Sequence, residues 1–305
     1  MQQPIALRYN EKIEGEDIVV QPVFWTRNYL LSGQVPLQLG QRTLVMGILN
    51  ITPDSFSDGG KYNSVERALQ HVDQLVADGV DIIDIGGEST RPGFVPVTIA
   101  DEIARVIPVI KAIRQKYPLL PLSIDTYKSE TAKAALAAGA HIINDIWCLK
   151  YDPDMAYVAA EYRCPVILNH NRTDANDEYG IEEVMEELLE SVHIAIDAGV
   201  AHDQIWLDPG IGFAKTYEQN LNIHARLAQL NALGYPVLLG TSRKKFIREA
   251  LAMTVEEIAE GTIASNVLGI TQGCQIVRVH DVRAMKKAAL MTDALLYRIP
   301  QYKEQ

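Results

Sequence analysis

The sequence predicts an α/β protein, a single-domain (β/α)8 barrel of the TIM type, and two observations carry that prediction. From residue 44 onward, short apolar runs alternate with helix-type patterns about eight times, and no linker divides the alternation. Repeated strand–helix units predict a parallel sheet, and eight of them predict closure into a barrel of roughly 250 residues, which fits the remaining length. A doubly wound open sheet is the weaker alternative, because no G-x-G-x-x-G sequence follows the first strand.

Each predicted strand is a short apolar run that ends at a polar residue. The strands are placed at 44–49, 81–86, 121–125, 140–145, 165–170, 204–208, 236–240 and 275–280. Helix patterns lie between them at 64–79, 99–117, 129–139, 153–163, 181–199, 217–234, 244–272, with a break suggested near Met253, and 281–297. Four glycines stand between a helix and the next strand, where helix-ending glycines are expected: Gly79, Gly139, Gly199 and Gly234.

Residues 1–43 are predicted to be an N-terminal extension, and residues 44–300 the barrel. The extension has no clear helical period, and its LSGQVPLQLGQRTL stretch resembles a β-hairpin that turns at Gly33 or Gly40. We expect this hairpin to cover the amino-terminal mouth of the barrel.

Composition and charge exclude several classes of protein. The 28 Lys and Arg residues against 39 Asp and Glu give a net charge of -11, which argues against nucleic acid as a partner. The first residues lack a signal-peptide pattern, and no apolar run approaches the roughly 20 residues of a membrane helix, so we expect a cytoplasmic protein without a membrane partner. Cys148, Cys164 and Cys274 lack C-x-x-C spacing and are predicted to be reduced packing residues.

Polar residues at the carboxyl ends of the predicted strands indicate one shared site, because a barrel places its active site at that face. They are Asn50, Arg91, Asp125, Asn144, Asp145, Asp208, Lys244, Arg278 and His280. Any single one of them is equally well explained as a helix cap or a turn residue. Seven junctions with matching chemistry make that explanation much weaker for the set.

The residue types restrict the ligand. Asp125, Asn144 and Asp208 stand among apolar neighbours, and a buried carboxylate is costly unless something donates hydrogen bonds to it. A flat heterocycle with an amino group beside a ring N–H would donate in the two-pronged way of a guanidinium. Lys244 could complement the same ring through a carbonyl oxygen or a ring nitrogen.

A second set of residues is suited to an anion. Arg91, Arg278 and His280, with the amide of Asn50, form a group of donors that fits a diphosphate. Arg278 and His280 are two residues apart on one predicted strand, so their side chains share a face. In a closed barrel that face is the functional interior.

Seven motifs stand in order between residue 44 and about residue 290: MGILNITPDSFSDGG, DIIDIGGESTRPG, SIDT, IINDI, DPGIGF, GTSRKKF and VRVHDV. Together they resemble the dihydropteroate synthase family, the pterin-binding barrel enzymes of folate biosynthesis that sulfonamides block. The resemblance implies a transferase that condenses p-aminobenzoate with 6-hydroxymethyl-7,8-dihydropterin diphosphate in an SN1-like displacement. The products would be 7,8-dihydropteroate and diphosphate, with Mg2+ assisting. It also implies a homodimer that forms through the last helices.

The resemblance assigns roles to individual residues. The pterin ring would be bound by Asp125, Asn144, Asp208 and Lys244, and the diphosphate by Asn50, Arg91, Arg278 and His280, with Asn50 also near the metal. The p-aminobenzoate pocket would be shaped by Phe56, Thr90, Arg91 and Pro92, with the carboxylate near Ser242 and the amino end of the helix that starts around Lys244. Catalysis would rest on charge stabilisation by Asp125, Asp208, Lys244, Arg278 and His280.

Two positions depart from the pattern of the family. Asn169 stands where relatives commonly have Met, and Lys245 stands where many have Ser.

Two alternative functions remain open at this point. A methyltetrahydrofolate-dependent methyltransferase has no diphosphate to bind, so the STRPG and RVH sequences argue against it. A noncatalytic pterin-binding paralogue would be expected to lose part of the polar set, which is complete here.

Overall fold

The computed structural model of the chain describes residues 24–51, 60–88, 96–173 and 179–296. Its strands are β1 (Arg27–Leu31), β2 (Val35–Leu39), β3 (Leu44–Asn50), β4 (Ile82–Gly86), β5 (Leu122–Asp125), β6 (Ile142–Asp145), β7 (Val166–Asn169), β8 (Ile205–Asp208), β9 (Leu238–Leu239) and β10 (Ile276–Val279). Its helices are α1 (Gly60–Ala77), α2 (Ile99–Lys116), α3 (Ser129–Ala138), α4 (Met155–Tyr162), α5 (Ile181–Asp197), α6 (Tyr217–His224), α7 (Leu227–Asn231), α8 (Lys245–Leu251), α9 (Ala259–Thr271) and α10 (Val282–Leu296).

Strands β3 to β10 form one parallel sheet, with neighbours in the order β8, β7, β6, β5, β4, β3, β10, β9. The two ends of this sheet meet where Leu207 forms a parallel bridge with Val237 and donates its N–H to Pro236 O at 2.9 Å. The helices between the strands lie on the outside, so the predicted (β/α)8 barrel is confirmed.

All eight predicted barrel strands are present within two residues of their expected bounds. The suggested break near Met253 is also present, since α8 ends at Leu251 and its C-cap residue, Ala252, has a φ of +53°. The prediction of a single helix over 217–234 is wrong, because this range contains two helices, α6 and α7. The carbonyl of His224 accepts the side-chain amide of Gln272 at 3.0 Å, so a contact from another helix replaces its helical hydrogen bond.

The four glycines predicted to end helices all have positive φ, as a left-handed helix terminus requires. Gly139, with φ +113°, ends α3 and donates its N–H to Leu136 O at 3.0 Å. Side chains at such positions are strained, so these residues set where each helix stops and the next strand begins.

The predicted hairpin is present as β1 and β2, which pair antiparallel and turn through Ser32–Gln34 with Gly33 at φ +66°. One face of the hairpin is apolar and enters the amino-terminal mouth of the barrel. It packs there in a single buried cluster of Leu31, Val35, Leu37, Leu39, Leu44, Met46, Ile82, Ile142, Ile167, Trp206, Leu238 and Ile276. The indole of Trp206, on barrel strand β8, also donates to Tyr29 Oη, on hairpin strand β1, at 2.9 Å. This hydrogen bond joins the hairpin to the barrel.

The three cysteines are buried and free, which confirms the prediction that they are packing residues. Burial raises the pKa of the Cys148 and Cys164 thiols to about 12, so neither is a thiolate at neutral pH. Over the part of the chain that the structure describes, no helix is long and apolar enough to cross a membrane.

Candidate active site

The interior of the barrel changes from apolar to polar within two residues along the same strands. Residues two apart on a strand share a face. On each of these strands, an apolar interior residue is followed two positions later by a polar residue on the same face. The pairs are Ile82 and Asp84, Ile142 and Asn144, Trp206 and Asp208, and Ile276 and Arg278. The polar member always lies toward the carboxyl end, so the pocket opens at the face where a barrel carries its active site.

Four strand-end residues form one row across the sheet. Asn50 is the register partner of Gly86, Gly86 of Asp125, and Asp125 of Asn144. Gly86 leaves a gap in this row, because a Cβ there would lie 3.5 Å from Asn50 Oδ1 and 3.7 Å from Asp125 Oδ2. The amide of Asn50 and the carboxylate of Asp125 therefore border the same space.

Arg278 lies between two buried carboxylates. Its Nε donates to Asp84 Oδ2 at 2.6 Å, and its Nη2 donates to Asp125 Oδ2 at 2.6 Å. Burial raises the pKa of Asp125 to about 7, against the opposing effect of Arg278. The guanidinium thus compensates two acids that would otherwise be costly to bury.

Asp208 and Lys244 lie on the adjoining side of the pocket. Asp208 Oδ1 accepts the N–H of Gly210 at 2.7 Å, and burial raises the pKa of Asp208 against the effect of Lys244. Lys244 Nζ donates to Ile211 O and lies 4.4 Å from the centre of the Phe213 ring. Burial lowers the pKa of Lys244 to about 8, so it remains mostly a cation at neutral pH.

Ser242 and His280 form a pair beside this group. Ser242 Oγ accepts the backbone N–H of His280 at 3.2 Å and lies 2.9 Å from His280 Nδ1. When the hydroxyl proton points at Nδ1, the proton of a neutral imidazole lies on Nε2. In that tautomer His280 acts as a donor through Nε2.

The structure brings eight predicted residues to the carboxyl end of the barrel: Asn50, Asp125, Asn144, Asp208, Ser242, Lys244, Arg278 and His280. Four others, Phe56, Thr90, Arg91 and Pro92, lie outside the described residues. Asp145 is a turn residue, since its carboxylate accepts the N–H groups of Trp147 and Leu149, each at 2.8 Å.

A buried ion-pair network joins the two flanks of residues 89–95, which contain three of the predicted residues. Lys128 Nζ donates to the carboxylate of Glu88, just before this segment, and to Val97 O at 2.7 Å, just after it. The same Nζ lies 2.9 Å from Glu102 Oε2. The residues that flank the segment, Glu88 and Val97, are therefore both bonded to Lys128, in the loop that follows Asp125.

Sequence reasoning missed Asp84, which is fully buried and contacts two predicted residues, Arg278 and Asn144. The available signal was its position in VDIIDIGG, a charged residue inside an apolar strand and in phase with Gly86. It also missed Lys215, whose Nζ lies 2.9 Å from His170 Nδ1. Burial lowers the pKa of Lys215 to about 7.

A closed (β/α)8 barrel with carboxylates, an amide, a lysine and an arginine converging at its carboxyl end is an enzyme scaffold with a pocket for a small polar ligand. The sequence model described as pterin binding enzyme matches residues 46–280. The chain belongs to this family, and within it to the dihydropteroate synthases, so the resemblance seen in the motifs is confirmed.

Known proteins support this assignment along most of the chain. Dihydropteroate synthase of Bacillus subtilis is 54% identical over 260 residues, which span 85% of this chain and 91% of that protein. A structure of dihydropteroate synthase from Clostridium difficile in the presence of pteroic acid is 49% identical with a TM-score of 0.81, covering 84% of this chain and 97% of that one. The Xanthomonas albilineans enzyme with 4-aminobenzoic acid is 41% identical with a TM-score of 0.81, covering 86% and 96%.

Proposed function

We propose that this chain condenses p-aminobenzoate with 6-hydroxymethyl-7,8-dihydropterin diphosphate, giving 7,8-dihydropteroate and diphosphate. The observation that carries the proposal is the convergence of Asp125, Asn144 and Asp208 with Lys244 and Arg278 in one pocket. The pocket pairs acceptors suited to an amino-substituted ring with cations suited to a diphosphate. The relatives with pteroic acid and 4-aminobenzoic acid support both halves of the reaction.

Ring binding is assigned to the acceptors. Among the described residues, Asp125 Oδ1 is buried and has no hydrogen-bond partner. An unsatisfied buried acceptor costs about 1–3 kcal/mol, so a ligand N–H that reaches it gains affinity. An aminopyrimidinone presents such N–H groups side by side, and Asp208 and Asn144 extend the same acceptor surface.

The chemistry needs charge stabilisation and no nucleophilic side chain. The bond between the methylene carbon and the diphosphate oxygen breaks first, and its electron pair leaves with the diphosphate. The resulting cation is delocalised into the electron-rich ring, where the carboxylates of Asp125 and Asp208 favour it. The aniline nitrogen then attacks the methylene and loses a proton.

The diphosphate is assigned to Arg278, His280 and Asn50, with Arg91 as a further proposed contact. Arg278 uses Nε and Nη2 on the two carboxylates, and Nη1, which bonds neither, is suited to an anion. His280 would contribute Nε2–H in the tautomer whose Nδ1 accepts from Ser242.

Mg2+ is proposed as the metal, bound mainly through the substrate. Across the described residues there is no cluster of three His, Cys, Asp or Glu that could hold a metal ion. The carboxamide oxygen of Asn50 borders the pocket beside Gly86, and one protein oxygen with diphosphate oxygens is a set that Mg2+ accepts. Bound there, the metal would neutralise charge on the departing diphosphate.

The p-aminobenzoate side of the pocket is assigned to Phe56, Thr90, Arg91 and Pro92. We place its carboxylate near Ser242 and the first backbone N–H groups of α8, whose N-cap residue is Lys244. A sulfonamide carries a similar arylamine, so we expect it to compete with p-aminobenzoate at this position.

A homodimer through α9 and α10 is proposed as the assembly. Leu268 on α9 and Met291 and Leu295 on α10 are large apolar side chains with exposed fractions of 57%, 60% and 69%. Apolar residues grouped on neighbouring helices favour a protein contact. Sedimentation of the wild type and of Leu295→Asp tests this, since a dimer that becomes a monomer supports the contact and unchanged sedimentation contradicts it.

The reaction is tested by measuring diphosphate release from synthetic dihydropterin diphosphate with Mg2+, with and without p-aminobenzoate, alongside mass detection of dihydropteroate. Release that depends on p-aminobenzoate and equals product formation supports the proposal. Tight pterin binding without turnover would favour a noncatalytic paralogue. Methyl transfer from methyltetrahydrofolate, with no diphosphate released, would favour the methyltransferase.

A further inference from the structure

Asp84 is a buried carboxylate to which the proposed reaction gives no role. It lies on β4, two residues before Gly86, and is fully buried. Its Oδ2 accepts both Arg278 Nε at 2.6 Å and Asn144 Nδ2 at 3.0 Å. One oxygen atom therefore contacts two of the residues assigned to substrate.

We propose that Asp84 is a positioning residue that fixes the amide orientation of Asn144 and the direction of the Arg278 guanidinium. It thereby sets the hydrogen-bond pattern that the pocket presents to the ring. The inference rests on the proposed function, because it takes the pterin as the ligand of this pocket.

The orientation of the Asn144 amide follows from the charge of Asp84. An asparagine side chain can present either its NH2 group or its oxygen, and the two differ little in shape. Turned toward Asp84, the oxygen of Asn144 would meet a carboxylate oxygen with no proton between them, so the NH2 group must face Asp84. The Asn144 Oδ1 is then directed away as an acceptor, in line with Asp125, its register partner.

The same carboxylate orients Arg278. Asp84 and Asp125 contact Nε and Nη2, two donors on one side of the planar guanidinium, and this fixes the plane of the group. With only one carboxylate, the guanidinium could rotate about the remaining contact. Asp84 thus keeps Nη1 directed to the place assigned to the anion.

Asp84 also acts on the charge of Asp125. The charged groups that face Asp125 are Arg278 on β10, Asp84 on β4, Glu102 on α2 and Asp145 on β6, with Lys244 at the start of α8. Burial raises the pKa of Asp125 to about 7, Arg278 opposes that rise, and Asp84 adds to it. Removing the charge of Asp84 should therefore lower the pKa of Asp125.

The test compares Asp84→Asn with Asp81→Asn. Both remove one carboxylate, and Asp81 is a matched control because it bonds Arg42 and Lys286 at the amino end of the barrel. Binding of 6-hydroxymethylpterin is measured by calorimetry, since this probe has no diphosphate and reports mainly on the ring contacts. Asn144→Ala and the double variant Asp84→Asn/Asn144→Ala complete a double-mutant cycle.

We expect Asp84→Asn to raise the Kd of the probe by about tenfold, the effect of one buried polar group left unmatched. In the Asn144→Ala background the same substitution should raise it by less than about threefold. In Asp84→Asn, the acid limb of the plot of kcat/KM against pH should move to lower pH. The control Asp81→Asn should change neither the Kd of the probe nor the position of the acid limb. An unchanged Kd, equal penalties in both backgrounds or an unmoved acid limb would each overturn the proposal.

A second variant keeps the proposal testable if Asp84→Asn fails to fold. Asn144→Asp places a second carboxylate against Asp84, so the two share one proton near neutral pH and lose it as the pH rises. If probe affinity falls more steeply between about pH 6 and pH 9 in this variant than in the wild type, the inference is supported, and the same pH dependence in both proteins contradicts it. If the wild type binds the probe but forms no dihydropteroate, the proposed reaction fails while this binding test still stands.

Discussion

The two ends of the barrel interior are built from the same strands but differ in polarity. At the amino end, hairpin and strand residues such as Leu39, Met46 and Trp206 form a fully buried apolar plug. Two residues further along the strands, the interior holds Asp84, Arg278 and their polar neighbours. Position along a strand thus separates apolar packing from polar contacts, and we expect that each end can be altered with little effect on the other.

The difference has an energetic basis. Burial of hydrocarbon stabilises the fold by about 25 cal/mol per Å2, whereas buried charges are costly unless they are compensated. The carboxyl end contains compensated charges that still have unused hydrogen-bonding capacity, as at Asp125 Oδ1 among the described residues. That capacity is what a ligand can use.

The largest effect is expected for Arg278→Met. This change removes the cation that compensates Asp84 and Asp125 and the proposed diphosphate contact, so kcat/KM should fall by about 1000-fold or more. Arg42→Met is the control, since Arg42 pairs with Asp81 at the other end. Initial rates of dihydropteroate formation measure kcat/KM for both variants. A fall in kcat/KM of less than tenfold for Arg278→Met would contradict the assignment.

The next effect is on stability. Leu39→Ala leaves a cavity within the plug and should destabilise the fold by about 2–5 kcal/mol, with kcat of the folded enzyme unchanged. Leu30→Ala, on the same hairpin but 65% exposed, should change stability by less than about 0.5 kcal/mol. Urea unfolding measures both changes. Equal losses for the two variants would show that the plug has no special role.

A smaller, pH-dependent effect is expected at His141, also at the amino end. Its Nδ1 accepts the N–H of Leu122 at 3.0 Å, and burial, aided by Arg114, lowers the pKa of His141 from 6.5 to about 4. The unfolded chain takes up this proton first, so the stabilisation is complete above pH 6.5 and is lost as pH falls toward 4.

His141→Asn keeps an acceptor near Leu122 and removes the titration. The loss of stability between pH 7 and pH 5 should therefore be about 2 kcal/mol smaller in the variant than in the wild type. Urea midpoints at the two pH values measure it. The same pH dependence in both proteins would refute the assignment.

The smallest effect is expected for Lys245→Ala at the start of α8. The side chain of Lys245 is 78% exposed and lies 3.0 Å from Glu249, so stability should hardly change. A cation there favours an approaching carboxylate, and we expect the KM for p-aminobenzoate to rise about threefold with a smaller fall in kcat. Lys133→Ala, which breaks an exposed pair with Glu161, is the control. An unchanged KM would reject the idea.

Much of the fold was predictable because the barrel strands are short apolar runs and four helices are followed by a glycine of positive φ. The α6–α7 division was not, since Gln272 lies 48 residues from His224. At the site, Asp125, Asn144 and Asp208 were visible as strand ends. Asp84 stands out as a charge within an apolar strand, but its partners could not be inferred, because both faces of a barrel strand are covered by protein and no alternation separates inside from outside.

The partners of Arg278 were also beyond local reasoning. Asp84 and Asp125 lie 194 and 153 residues away from it, and only the closed barrel brings them together. The assignments of Phe56, Thr90, Arg91 and Pro92 stay predictions.

The most direct test of this separation is one plot, kcat/KM for dihydropteroate formation against the free energy of unfolding, for Arg278→Met, Arg42→Met, Leu39→Ala and Leu30→Ala. We predict that Arg278→Met loses activity far beyond any loss of stability, while Leu39→Ala loses stability at nearly wild-type kcat/KM of the folded fraction. If all four variants fall on a single line, with activity lost in proportion to stability, the two ends are not separate and the account is wrong.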